Sequence, residues 1–178
     1  MFRTGLLKDV AVAVTGPARP AITQRLQSLD ADIRPLDVDS DEDAPPEAAG
    51  LHALVIDAAA PFAAASHADD ELAPLRAAGD GAWIATRAVA NAAWIEPKAE
   101  GGKVVVVAPR PDDGPHAEAA RAALENLSRT LSIEWARYGI RTATITPDES
   151  WSDDDVGDLV AYLVSPGGDY FSGARLGR

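Results

Sequence analysis

The chain has 178 residues and a formal net charge of −12. That is length enough to bury a hydrophobic core and the wrong sign for nucleic acid or an anionic membrane surface, both of which call for clustered Lys and Arg. Apolar residues make up 47% of the chain, above the level of disordered sequences, and the absence of cysteine excludes disulfides, thiolate metal sites and a cysteine nucleophile. No apolar run approaches the ~18 residues of a membrane span, and residues 1–5 do not open a secretory signal. A cytoplasmic protein is expected, folded as one domain over 1–178. The acidic balance fits a solvating surface or adaptation to high salt.

In chain order, Val10–Val14 is an apolar run of strand length that ends in Thr15-Gly16. After a proline-containing turn, Ala21–Leu29 sets Ile22, Leu26 and Leu29 at helical spacing. A second strand is expected over Ile33–Val38, with Pro35 placing it at a sheet edge. The stretch 39–50 holds five acids and two prolines and reads as a solvated loop. Leu51–Ile56 is the third strand, followed by a loop of small residues and the acidic Asp69-Asp70-Glu71. The Ala-rich segment Ala77–Ile95 reads as a helix carrying Trp83, Ile84, Val89 and Trp94.

Gly101-Gly102 precedes Lys103–Ala108, an unbroken β-branched run of the kind found in central parallel strands. Asp112 to Pro115 supplies start signals for a long helix to about Arg137, striped by Leu124, Leu127, Leu131 and Trp135. Ile140–Ile145 is a further strand. Asp153–Val164 is a helix with an acidic first turn, and Phe171–Leu176 a closing strand. Strands alternating with helices, the central ones wholly apolar, predict an α/β fold: a doubly wound, Rossmann-type parallel sheet of about six strands covered on both faces.

The residues that specify more than a fold class are Leu7 to Gly16, Trp83 to Val89, Gly102 to Val107 and above all Ala119 to Pro147. They resemble, in order, the first strand, the fourth helix, the strand that normally ends in the catalytic serine, and the fifth helix with the sixth strand of the short-chain dehydrogenase/reductase family. The tail from Val160 to Gly173 is similar to that family's closing helix and strand. The resemblance covers roughly three quarters of the chain, and it implies a Rossmann fold and descent from an NAD(P)-dependent oxidoreductase.

The same resemblance implies that the chemistry has been lost. The family's proton-donating tyrosine falls at Ala117, its lysine at Arg121, its serine near Ala108 and its helix-four asparagine at Ala78. An arginine retains the charge to hold a ribose, but alanine cannot exchange a proton. All three tyrosines (Tyr138, Tyr162, Tyr170) follow Lys103, the last lysine, so a Tyr-x-x-x-Lys pair is impossible anywhere in the chain. His116 is the remaining candidate for a replacement acid, with an ordinary exposed histidine as the alternative.

In the turn after the first strand, Thr15-Gly16-Pro17-Ala18-Arg19-Pro20 keeps one glycine where three normally let backbone amides reach a pyrophosphate. Thr15, Gly16, Arg19 and Asp37 are thus vestigial cofactor positions, Arg19 offering charge to another anion and Asp37 the acid for ribose hydroxyls. The Asn-Asn-Ala-Gly turn of the family reads Ile56-Asp57-Ala58-Ala59. An edge strand and the substrate lid after the sixth strand are expected to be missing.

What reads best are the family's subunit-contacting elements, which make Trp83, Trp94, Leu124, Leu131 and Trp135 candidate interface residues, or fillers of the protein's own core. The sequence therefore predicts a non-catalytic scaffold, a homo-oligomer or a heteromer with an intact dehydrogenase. Residual NAD(P) oxidoreduction and small-ligand binding in the vacated cleft are the alternatives. No cofactor and no metal are expected, since His52, His67 and His116 lack ligand spacing.

Overall fold

The structure, a computed structural model, describes residues 2–37 and 48–177. Among the described residues six strands form one sheet: β1 (Ala11–Thr15), β2 (Asp32–Leu36), β3 (Ala53–Asp57), β4 (Lys103–Val107), β5 (Arg141–Thr146) and β6 (Ala174–Gly177). They lie in the order β2-β1-β3-β4-β5-β6, and every pairing is parallel. Five helices cover it: α1 (Pro20–Ser28), α2 (Ala59–Ala65), α3 (Ala73–Val89), α4 (Ala117–Glu134) and α5 (Asp153–Val164). From β1 the chain steps outward to β2 and returns to the other side of β1 as β3. The crevice between the carboxyl ends of β1 and β3 is therefore a topological switch point, the place where open α/β sheets bind ligands.

The apolar runs divide by strand alternation into two cores, as a sheet buried on both faces requires. Val104 and Val106 of β4 join Leu54 and Ile56 of β3 beneath α2, α3 and α4. Val105 and Val107 join Val12, Val14 and Val55 beneath α1 and α5. α5 begins where the sequence placed it, because Ser152 and Asp155 close a reciprocal capping box: the Asp155 amide donates to Ser152 Oγ at 3.1 Å, and the Ser152 amide to Asp155 Oδ2 at 2.9 Å. The Ser152 hydrogen bonds hold the Asp155 carboxyl below its usual range.

Four expectations need correction. The loop predicted after β3 is the helix α2, anchored by the wholly buried Phe62 despite its internal Pro61. α3 starts four residues before Ala77 and finishes in a turn of π-helix, Ala90–Ile95. α4 begins at Ala117, after Pro115 rather than with it, and its regular part ends at Glu134 before a short 3₁₀ turn over Ala136–Tyr138. The closing strand starts at Ala174, three residues later than expected. The acidic loop read over 39–50 lies for positions 39–47 outside the described residues, as does Val38.

Pro35 does sit in an edge strand. No helix among the described residues is long and apolar enough to cross a membrane.

Candidate functional site

At the switch point, β1 delivers Thr15 and Gly16 to a turn that leads into α1. Arg19 is the residue flanking the helix, with extended backbone (φ −55°, ψ 130°), and its own side chain makes no capping hydrogen bond. The amides of a helix's first turn need acceptors, and Pro20, at the start of α1, has no N–H to satisfy. The acceptor is Asp57, the last residue of β3, whose side chain is wholly buried. Its Oδ2 accepts from the Arg19 amide at 2.8 Å, while Oδ1 accepts from Arg19 Nη1 at 3.2 Å and from the Ala59 amide at 3.3 Å. Burial raises the Asp57 carboxyl above the usual carboxylate range; the Arg19 charge and the two amides offset part of that effect.

The charges continue across the crevice. Arg19 Nε lies 3.6 Å from Asp153 Oδ1 in the first turn of α5. Arg110, from the loop after β4, reaches the same oxygen with Nη2 at 3.0 Å and also donates to the Trp151 carbonyl at 2.9 Å. Two aspartates and two arginines thus alternate along the carboxyl edge of the sheet: Asp57, Arg19, Asp153, Arg110. The expectation that Arg19 offers its charge to an outside anion is corrected here, since both edges of its guanidinium face carboxylates of the same chain.

Arg121 meets a similar end on the other half of the crevice. Its side chain is 5% exposed, and Nη1 donates to the carbonyls of Pro109 at 2.7 Å and Pro147 at 2.8 Å. Nη2 adds a longer bond to the Thr146 carbonyl at 3.4 Å, and Glu118 stands 3.3 Å from Nε. The guanidinium ties together the chain leaving β4 and the chain leaving β5, which corrects the idea that it remains available to a ribose. Desolvation lowers the Arg121 pKa, but an arginine stays protonated regardless. Ala117 and Ala108 beside it are buried, and residues 147–152 alone join β5 to α5.

Thr15, Gly16, Asp37 and Ala78 do come together, around a cleft of about 160 Å³ floored by Ile56 and Asp57. That is smaller than the ~300 Å³ at which ligand pockets begin. Arg19, Ala108, Ala117 and Arg121 do not line it. His116 is exposed, in left-handed backbone (φ 69°) at the head of α4, beside Ser66, Asp70 and Glu71 and away from this cleft. Among the described residues no group of three or more His or acidic side chains is arranged to hold a metal.

The candidate interface residues separate. Trp94 is 1% exposed, and its indole N–H donates to the Leu51 carbonyl at 2.7 Å. Gly102 is its necessary neighbour, since a Cβ there would fall 2.0 Å from the ring. Leu124 and Leu131 are also buried within this chain. These three are corrected to core residues: each is already covered by its own protomer. Trp83 is 38% exposed and stacks on the half-buried Trp135, ring centroids 6.3 Å apart, with Ile133 exposed nearby in sequence.

Sequence reasoning passed over Asp57, Asp153 and Arg110 as a set. The available signal was a lone acid terminating the apolar run of β3, with an arginine where a glycine turn would need none.

No family model and no curated protein matches the sequence. Solved structures do. A citronellol catabolism dehydrogenase of Pseudomonas aeruginosa superposes with a TM-score of 0.78 at 21% identity, covering 99% of this chain and 96% of that one. A Serratia marcescens short-chain dehydrogenase/reductase variant gives 0.75 at 18% identity, with 97% of each chain covered. A hydroxysteroid dehydrogenase from Escherichia coli gives 0.69 at 16% identity, again covering 97% of each. With the parallel six-stranded sheet and its switch point, these likenesses show that the chain has the fold of the short-chain dehydrogenases/reductases.

Proposed function

We propose that this chain is a catalytically degenerate relative of those dehydrogenases that acts as a non-catalytic subunit, assembling with copies of itself or with an intact dehydrogenase. The observation that carries the reading is Arg121: at the position matching the family's lysine, its guanidinium is committed to backbone carbonyls, and the residue matching the tyrosine is the buried Ala117. With alanine in place of the hydroxyl at position 117 and the Arg121 cation committed to carbonyls, the two residues matching the family's pair can neither pass a proton nor orient a nicotinamide ribose. The short connection over 147–152 and the narrow cleft support the same reading, in which no NAD(P) is held. Trp83, 38% exposed and stacked on the half-buried Trp135, is an aromatic of the type that anchors protein contacts.

The test is native mass spectrometry of the tagged protein isolated from its own cells. The expected result is an oligomer, either of this chain alone or with a full-length dehydrogenase of the same fold; a monomer overturns the proposal. Titration with reduced nicotinamide cofactors to ~1 mM, where even weak sites fill, is expected to show no binding. Saturable binding with turnover would replace the assembly reading by the oxidoreductase one.

A further inference from the structure

The side of α5 turned away from the sheet carries Asp155, Asp158, Leu159 and Tyr162, at the spacing of one helical face. With Trp151 and Phe2 they line an open groove of about 540 Å³, within the range of ligand sites, and none of them borders the switch-point cleft. Three aromatics from separate parts of the chain thus meet two carboxylates, and no lysine, arginine or histidine lines the groove. Such a lining repels anions, and a neutral apolar ligand would leave the carboxylates without a counter-charge. A cation suits both components, because aromatic faces and carboxylates are each negative. The chain already holds one cation at this place: the Arg25 guanidinium carbon lies 5.9 Å from the centre of the Phe2 ring, and its Nε pairs with Asp158. Arg25 offsets Asp158 but not Asp155. Asp155 Oδ2 accepts from the Ser152 amide and hydroxyl, and its Oδ1 accepts no hydrogen bond among the described residues. Trp151, Tyr162 and Asp155 are therefore the part of the groove whose charge has no internal partner.

We propose that this groove is a binding site for a small quaternary ammonium compound, its cationic head taken by the Trp151 and Tyr162 rings and the Asp155 carboxylate. A primary ammonium is the poorer fit: it is strongly hydrated and brings three N–H donors that the rings cannot satisfy. A trimethylammonium head has no N–H, so its methyl groups meet the ring faces while its charge meets the carboxylate. Tyr162 is 37% exposed, which leaves ring surface open to such a ligand. The site goes beyond the assembly reading and does not depend on which partner the chain has.

The experiment is isothermal titration of choline chloride, and of the neutral alcohol of the same shape in which carbon replaces the nitrogen, at matched ionic strength. The wild-type chain is expected to bind choline saturably and about tenfold tighter than the neutral alcohol. Trp151→Leu, which keeps an apolar side chain, is expected to weaken choline about fivefold, the scale of one cation on an aromatic face. Asp155→Asn keeps an oxygen for the helix cap but not the charge, and is expected to weaken choline about threefold. If circular dichroism finds Trp151→Leu unfolded, Tyr162→Leu takes its place with the same fivefold expectation. Equal affinity for the two compounds overturns the proposal, and so does choline binding that neither the aromatic nor the Asp155 variant weakens. If choline does not bind and Trp151→Leu instead dissociates an oligomer, the groove belongs to a second copy of the chain, and the proposal is likewise overturned.

Discussion

Two arginines close the carboxyl edge of this sheet, and they do so by different means. Arg19, on the β1–β3 side, meets carboxylates, Asp57 and Asp153. Arg121, on the β4–β5 side, meets carbonyls of Pro109, Thr146 and Pro147, with its one acid, Glu118, largely exposed. The first arrangement is a charge pair, so it responds to charge: neutralise one partner and the other is left seeking an anion. The second is a cation solvated by fixed dipoles, and it responds to geometry instead. One half of the crevice is closed by a charge pair, the other by a bolt between two loops.

The largest effect should come from breaking the bolt. Arg121→Ala leaves three buried carbonyl partners without their donor and should cost about 3 kcal/mol of stability by denaturant unfolding. Arg121→Lys keeps the charge, but a point donor cannot reproduce the fork. It should cost less than the alanine variant, and a loss equal to that of alanine would mean that fork geometry alone matters. On the other side, Asp57→Ala leaves a mostly buried guanidinium that still keeps the half-exposed Asp153, and should cost about 2 kcal/mol, the scale of one lost hydrogen bond to a charged group. Because the two arginines share no partner, the Arg121→Ala and Asp57→Ala losses should add to within about 0.5 kcal/mol; a larger coupling would join the two halves into one network.

The comparison sharpens further with pH. The folded Asp57 carboxyl titrates above its unfolded value of about 3.9. The native state therefore binds more protons than the unfolded one between those two values, and Asp57's contribution to stability is present below about pH 3.9 and lost as pH rises through the folded value. Asp57→Asn should remove that component from a stability–pH profile, whereas Arg121→Lys should leave it in place. Smallest of all, Arg110→Ala breaks a partly exposed pair and should change stability by about 0.5 kcal/mol.

Much of this architecture was legible in the residues. The apolar β-branched run over Lys103–Ala108 can only be a central strand, and the acidic turn after Ser152 marks the start of α5 to the residue. The alternation that sorts Val104 from Val105 is strict, so both cores follow once the sheet is parallel. α2 was not legible, because Ala59–Ala65 has no polar face and a proline in its middle; only the buried Phe62 and the contact with α3 make it a helix.

The site was harder, for a physical reason. That Ala117 cannot donate a proton is written in its side chain, but where the Arg121 guanidinium binds depends on three carbonyls, one after β4 and two at the end of β5, that meet only in the folded chain. Asp57 and Arg19 lie 38 positions apart, and nothing local to either names the other. Trp94 misleads in the same way: a tryptophan on a helix suits an interface or a core equally well until its N–H finds the Leu51 carbonyl.

Pro35 carries a consequence for how copies of the chain can come together. β2 ends the described sheet on one side, and its central stretch holds a residue that offers no N–H, flanked by Arg34, whose guanidinium is drawn to Asp32 on the same strand. An incoming strand would meet an incomplete hydrogen-bonding ladder and fixed charge. Edge-to-edge growth of sheets into fibres is thus discouraged at this border.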